Sequence, residues 1–349
     1  MRASKRIFTW IIISLVLQCS VYLFLNNFYF SPEGNIKFTK IDSVNKKNKI
    51  KPNVTFTNTD KDISLSDDFT YTAYMSDGLV KVVDTTTGKQ LQINFTKGIQ
   101  CLAYKWVPGT NRMIIAEKLS GSNGKIIKFF SYDADKAENG DKDAKAEIYN
   151  YESKTENAVT AGQSVDLQIS ELTGVLYAKI TYSSVLARVY RIDRNETLTR
   201  VTVGNIGHIA VASNDDQLVY EDLTYDRMRS NYTPKKTISL DGVSRSSLLG
   251  SDNNDNFYIG VGKSQINKIY YGKLTENTSS WKELPTGGLV NTNDIVISSD
   301  NNVYVINKNQ GTITDIKNNK KNTFEGSFIE LNNNSIISKI DNKLTIKSF

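Results

Sequence analysis

The chain has 349 residues, a formal net charge of +6, two cysteines and one histidine. So few histidines and cysteines argue against a zinc centre and leave His208 as the only imidazole base for a nucleophilic triad. The charge is uneven: residues 1–30 carry +3, residues 31–52 carry +4 and residues 53–349 carry −1. The basic character therefore belongs to the N-terminal segments, and a nucleic-acid surface on the folded part is not expected.

Arg2, Lys5 and Arg6 precede an apolar run from Ile7 to Leu25. Nineteen helical residues reach roughly 28 Å, close to the thickness of a bilayer core. A cleaved signal peptide would carry a shorter apolar stretch of about 7–15 residues, and no alanine follows Ala3 until Ala73 to make a small-x-small cleavage site. Lipidation at Cys19 would need a small residue where Gln18 stands. Residues 1–30 are thus expected to be an uncleaved signal anchor in a cell membrane, single-pass through 7–25, with the C-terminal domain outside. Residues 31–52, with six lysines against Glu33 and Asp42, form a linker that could also rest on anionic headgroups or wall polymers.

The composition, rich in Asn, Lys and Ile, resembles that of low-GC Gram-positive bacteria, where the Asn-x-Ser/Thr triplets at Asn53, Asn94, Asn195, Asn231 and Asn277 carry no glycosylation signal. Cys101 is alone outside the expected span, so no disulfide can form within residues 53–349; its setting between Ile99 and Ala103 reads as a buried small hydrophobe.

From residue 53 onward the pattern is all-β. Alternating runs rich in Val, Ile, Tyr and Thr recur at Thr70–Met75, Leu79–Val83, Ile126–Tyr132, Val175–Ile180, Ala187–Ile192, Gln217–Glu221, Phe257–Val261, Val303–Asn307 and Ser335–Ile340. Polar turns punctuate them at Asp67, Pro108, Leu172, Asn214, Asp252, Asp300 and Asn333, in steps of 41, 64, 42, 38, 48 and 33 residues. Most steps match a four-stranded propeller blade of about 40–50 residues. The long step contains Asp133–Ala146, a polar loop insertion.

The clearest unit is Ser66-Asp67-Asp68 followed by an apolar strand, then Asp77-Gly78, a second strand and Asp84-Thr85-Thr86-Thr87-Gly88. It resembles a blade of the WD-repeat-like propellers, among them the Tol-type periplasmic propellers and the N-terminal propeller of dipeptidyl-peptidase IV. The resemblance spans roughly 54–349 but is clear only in this first blade; the Trp-Asp dipeptide is missing and Gly-His occurs once, at Gly207-His208. It implies a fold and not an activity. Seven turns imply seven blades, with an eight-bladed ring or paired sandwiches as alternatives. The last blade has room for about three strands, so Val54–Thr57 is expected to complete it by pairing near Leu344–Lys347.

No Gly-x-Ser-x-Gly elbow occurs, and Gly262-Lys263-Ser264 lacks the earlier glycine of a phosphate loop and reads as a hairpin turn. Asp252–Asn256 offers oxygen ligands but has Phe257 where a calcium loop needs glycine, and Asp133, Asp135, Asp141 and Asp143 crowd one loop without glycine spacing. Neither a catalytic residue, a cofactor nor a metal is assigned. The leading expectation is a binding or scaffold module for a protein or cell-envelope partner. The alternatives are an accessory or sensor subunit of a membrane complex, and a hydrolase or lyase, which clustered acidic groups around the central channel would favour. Candidate contact residues are Tyr225, Arg227, Arg229 and Tyr232, because exposed aromatic and arginine side chains supply the most contact energy; Trp106 is weighed as a filler between blades.

Overall fold

The computed structural model describes residues 2–24, 50–121, 124–148, 159–233 and 236–348. The chain divides into two units, 1–49 and 50–349. In the first, helix α1 spans Arg2–Phe24. The continuous stretch of side chains described on it is 12–22, all exposed, and among the described residues no helix is both long and apolar enough to cross a membrane. The structure therefore does not show the span expected at 7–25, and residues 31–49 of the expected linker lie outside the described residues.

The second unit is a seven-bladed β-propeller. Seven antiparallel sheets follow one another in sequence, five of four strands and the first and last of three. We call them blades 1 to 7 and their strands A to D from the channel outward. The A strands are Lys61–Leu65, Gln100–Trp106, Ser164–Ile169, Ile206–Val211, Ser246–Ser251, Ile295–Ile297 and Ser327–Asn332. Every turn read from the sequence, from Ser66-Asp67-Asp68 to Asn332-Asn333-Asn334, joins an A strand to its B strand.

The period-2 geometry of a strand explains why these sheets stack radially. Side chains at alternate positions leave by opposite faces, so each blade feeds two apolar layers. On strand B of blade 5, Phe257 and Ile259 pack toward blade 4 while Tyr258 packs toward blade 6. Leu176, Ala178 and Ile180 of blade 3 face blade 2, and Val175 and Tyr177 face blade 4. There are seven such layers, one between each successive pair. Cys101 and Trp106 both belong to the layer between blades 1 and 2, and burial pushes the Cys101 thiol up to about 12. Cys101 is thus the small core residue expected, and Trp106 is the inter-blade filler.

The ring closes by the two ends of this unit, as expected, but two residues earlier on the last strand. Thr55 bridges Lys343; Phe56 N–H donates to the Asn342 carbonyl (2.8 Å) and Leu344 N–H to the Val54 carbonyl (3.1 Å). Val54 and Phe56 share the layer with Leu65, Tyr74 and Val83 of blade 1 and Ile337 and Leu344 of blade 7. The pairing stops there because Asn53 N–H is taken by the Thr85 carbonyl of blade 1. Gly88, at φ +73°, completes that turn; a Cβ there would lie 2.5 Å from the Asn53 carbonyl oxygen.

One local reading differs. The insertion expected as a loop opens with a helical turn, α2 (Ala134–Glu138), before strand Lys145–Glu147 resumes blade 2. Asp133 caps it, accepting from Lys136 N–H at 3.1 Å, and Ala134 is buried against the layer shared with blade 1.

Candidate functional site

In an antiparallel meander the A–B and C–D turns emerge at one end of the ring and the B–C and D–A turns at the other. The A–B turns are tied to one another around their mouth. Gly109 N–H donates to Asp67 Oδ2 (2.7 Å), and Asn333 Nδ2 to the Asp67 carbonyl (2.5 Å). Leu172 N–H donates to the Ser213 carbonyl (2.8 Å). Asn214 N–H donates to Asp255 Oδ1 (2.8 Å), and Asn253 N–H to the Ser299 carbonyl (3.3 Å). Short Asp and Asn side chains suit such turns because they reach neighbouring backbone groups.

Inside this mouth lies a cavity of about 840 Å³, lined by A strands and A–B turns. Five carboxylates line it, Asp62, Asp67, Glu171, Asp300 and Glu330, against one ammonium, Lys105. Between them run Ile63, Leu102, Ala103, Val165 and Ile297, an aliphatic wall. The titratable lining is thus predominantly acidic.

Two of these groups are perturbed. Glu330, on strand A of blade 7, accepts Leu65 N–H of blade 1 at Oε1 (2.8 Å); Oε2 has no hydrogen-bond partner among the described residues. Burial pushes the Glu330 carboxyl up to about 7, the Leu65 N–H opposing and Asp67 adding to the shift. Lys105, on strand A of blade 2, donates to Gln168 Oε1 (2.7 Å), and burial holds its ammonium below the usual lysine range despite Asp166. The Tyr104 hydroxyl reaches the Asp62 carbonyl and the Ala73 carbonyl, the latter at 2.8 Å. Asp62 holds a left-handed φ of 53° at a bulge in strand A of blade 1. Perturbed titratable groups in a cleft mark a functional site, and strained backbone beside one is consistent with it.

The Glu330 shift has a consequence for stability. The folded carboxyl titrates near 7 and the unfolded one near 4.5, so the native state keeps the proton longer. Stability contributed by neutral Glu330 is present below the unfolded value and is lost as pH rises through the folded one. Glu330→Gln keeps the acceptor for Leu65 N–H and cannot ionise. It should stabilise the protein by about 1–3 kcal/mol at pH 8 and by almost nothing at pH 4; urea titrations at both pH values check this.

The structure separates the four residues singled out from the sequence. Tyr225, 66% exposed, lies in the B–C turn of blade 4. The Arg227 guanidinium sits 4.5 Å from the Tyr225 ring centroid. Arg227 and Arg229 both approach Asp222 Oδ2, at 3.6 and 2.7 Å. Tyr232 follows the C strand at the opposite end of the ring, packed against the layer between blades 4 and 5. Three of the four share a hairpin and the fourth does not. The His208 side chain is exposed; the His208 backbone N–H donates to Glu221 Oε2 (3.0 Å), and Glu221 Oε1 accepts Leu248 N–H of blade 5 (2.7 Å). Gly262-Lys263-Ser264 is the B–C hairpin turn of blade 5. Asp252 is buried, with Oδ1 on the N–H groups of Asn254 and Asn256 (2.9 and 3.0 Å) and Oδ2 on the Tyr258 hydroxyl (2.7 Å). Among the described residues no group of three or more His, Cys, Asp or Glu could hold a metal.

Sequence reading missed Glu330 and Lys105. Each is a single charged residue among apolar and aromatic neighbours, and nothing local tells a cavity-lining position from a solvent-facing one.

No protein-family model matches the chain, and no curated protein matches it in sequence. In fold it is similar to solved β-propeller-bearing proteins. One comes from a study of two prolyl endopeptidases: 11% identity, TM-score 0.50, 75% of this chain and 41% of that one. Another is the AfRom2 CNH domain: 11% identity, TM-score 0.50, 85% of this chain and 96% of that one. A third is the extracellular domain of a protein described as a one component system in B. thetaiotaomicron: 12% identity, TM-score 0.49, 85% of this chain and 39% of that one. This chain spans about two fifths of the first and third. At such identities the likeness is one of fold alone. The class is a seven-bladed propeller with an acidic, cavity-bearing mouth.

Proposed function

We propose that the chain is a membrane-anchored, extracytoplasmic binding module whose propeller takes its partner at the A–B mouth of the ring. The observation that carries this reading is the cavity of about 840 Å³ lined by five carboxylates against one ammonium. Concave sites of one charge focus the potential and raise the local concentration of an oppositely charged partner. The anchor rests on Arg2, Lys5 and Arg6 followed by the apolar run Ile7–Leu25. The hairpin of Tyr225, Arg227 and Arg229 is the competing contact surface, favoured by its exposed aromatic ring, although both arginines are already drawn to Asp222.

A second reading is acid–base catalysis in the same cavity. Glu330, raised to about 7, has the value of a general acid or base working near neutrality.

The test uses full-length protein in its native membrane, solubilised in mild detergent and cross-linked to whatever lies against it. The double variant Glu330→Gln with Asp67→Asn should lose partner capture, while Tyr225→Ala with Arg227→Ala should retain it. The reverse pattern would move the site to the hairpin. Turnover of glycan or peptide by the wild type, lost in Glu330→Gln, would make the protein an enzyme. Protease added to intact cells should remove the propeller; an N-terminus near residue 30 in the medium would refute the anchor.

A further inference from the structure

Resting on that reading of the mouth, we propose that the cavity is a receptor site for a protonated alkylamine, whose ammonium group pairs with Glu330 Oε2 and whose methylene chain lies along the aliphatic residues of the lining.

Four observations converge on this chemistry. The first is charge: five carboxylates face one ammonium in the lining, and that ammonium, Lys105, is already engaged with Gln168. An anionic ligand would meet a repulsive lining, and a neutral one would leave the carboxylates without a counter-charge. The second is valence. Glu330 has one oxygen satisfied by Leu65 N–H and one without a partner among the described residues, and a half-buried carboxylate gains from a charge-assisted donor. The third is the spread of the acids over blades 1, 3, 6 and 7, with no cluster of three that could hold a metal among the described residues. Acids on four different blades suit a chain bearing a cationic head at one or both ends, which can reach more than one of them. The fourth is the presence of Ile63, Leu102, Ala103, Val165 and Ile297 in the lining, which give a methylene chain apolar contact between the acids.

The pairing makes binding depend on pH. The groups that face Glu330 are the Leu65 N–H and Asp67 of blade 1 and the Tyr104 hydroxyl of blade 2, with Asp62 behind the last. Of these, Tyr104 stays protonated, because burial pushes it far above its ordinary range. Glu330 is the group that ionises between pH 6 and 8, and it must be ionised to take the cation, so affinity rises over that interval.

One ammonium chemistry has two sources, a free diamine and a lysine side chain of a peptide or wall peptide. Isothermal titration of the full-length, detergent-solubilised protein with 1,5-diaminopentane and, separately, with tetralysine distinguishes them. 1-Pentanol and tetraglutamine serve as neutral controls. At least one amine should bind at pH 8, about tenfold more weakly at pH 6. Glu330→Gln should weaken it at least tenfold at pH 8 and abolish the pH dependence. Asp341→Asn removes the same charge from the far end of the ring and should leave binding unchanged. Binding of the amines no tighter than of their neutral controls, equal affinity in Glu330→Gln, or an equal loss in Asp341→Asn would overturn the proposal. If the amines fail while Glu330→Gln with Asp67→Asn still abolishes partner capture, the ligand class is wrong and the mouth remains the binding site.

Discussion

Phe56→Ala is expected to destabilise the propeller by about 3–5 kcal/mol, the usual range for a buried phenylalanine. Phe56 is 3% exposed and meets Tyr74 edge-on, with ring centroids 5.4 Å apart. The residue also sits on a segment that joins blade 7 to the start of the ring through backbone hydrogen bonds on both sides: Phe56 to Asn342, Leu344 to Val54 and Asn53 to Thr85. A deletion series separates packing from closure. Removing residues 31–52 should leave the urea midpoint nearly unchanged, because every one of these contacts lies beyond it. Extending the deletion to Asn58 should cost more than Phe56→Ala alone, since it also opens the outer edge of the Lys343–Ser348 strand. If the two deletions melt alike, the ring is not held by its ends.

The second large effect is expected at the ion pair of blade 2. Glu117 is fully buried, and its Oε1 lies 2.5 Å from Lys145 Nζ. That ammonium also donates to the Asn94 carbonyl (3.0 Å) and lies over the Phe130 and Phe95 rings at 4.2 and 4.7 Å. Burial still raises the Glu117 carboxyl above its ordinary range, with Lys145 pulling the other way. Lys145→Met should therefore cost about 3–5 kcal/mol, the range for a buried pair broken on one side. The loss should grow with pH: the abandoned carboxyl titrates higher in the folded than in the unfolded state, so folding is penalised once the unfolded group has ionised. The double variant Glu117→Leu with Lys145→Met should recover most of the stability, because a desolvated pair is often no better than an apolar one of similar volume. Chemical denaturation of the three variants at pH 5 and pH 8 decides this. A double variant as unstable as Lys145→Met at pH 8 would show that the pair contributes more than it costs to bury.

The all-β character, the seven blades and the short last blade were legible without coordinates. They rest on local signals: alternation along a strand, Asp, Asn and Gly at the turns, and the distance between turns. Each is set by the dihedral preferences of a few adjacent residues, so it survives in the one-dimensional string. The position of the closing strand was legible within two residues, because apolar Val54 and Phe56 alternate with polar neighbours and the last blade lacks an edge. The register itself depends on where Asn53 finds its partner across the ring. The helical turn after Asp133 was masked by the charges around it, although an aspartate just before an alanine is an N-cap signal.

What the sequence alone determined, then, is the repeating unit; what the tertiary structure decided is which side chains meet. Glu330 stands in Phe328-Ile329-Glu330-Leu331, at a register shift of its strand, and Lys105 in Tyr104-Lys105-Trp106, each a single charged residue among apolar and aromatic ones. Only ring closure turns those faces toward a common axis and encloses them, and enclosure is what shifts their titration. Tyr225 and Tyr232 illustrate the converse. They are seven positions apart and look like one surface segment, yet the strand between them carries one to each end of the ring. Proximity along the chain is a local property, while burial, facing and charge environment are set by contacts between blades far apart in sequence.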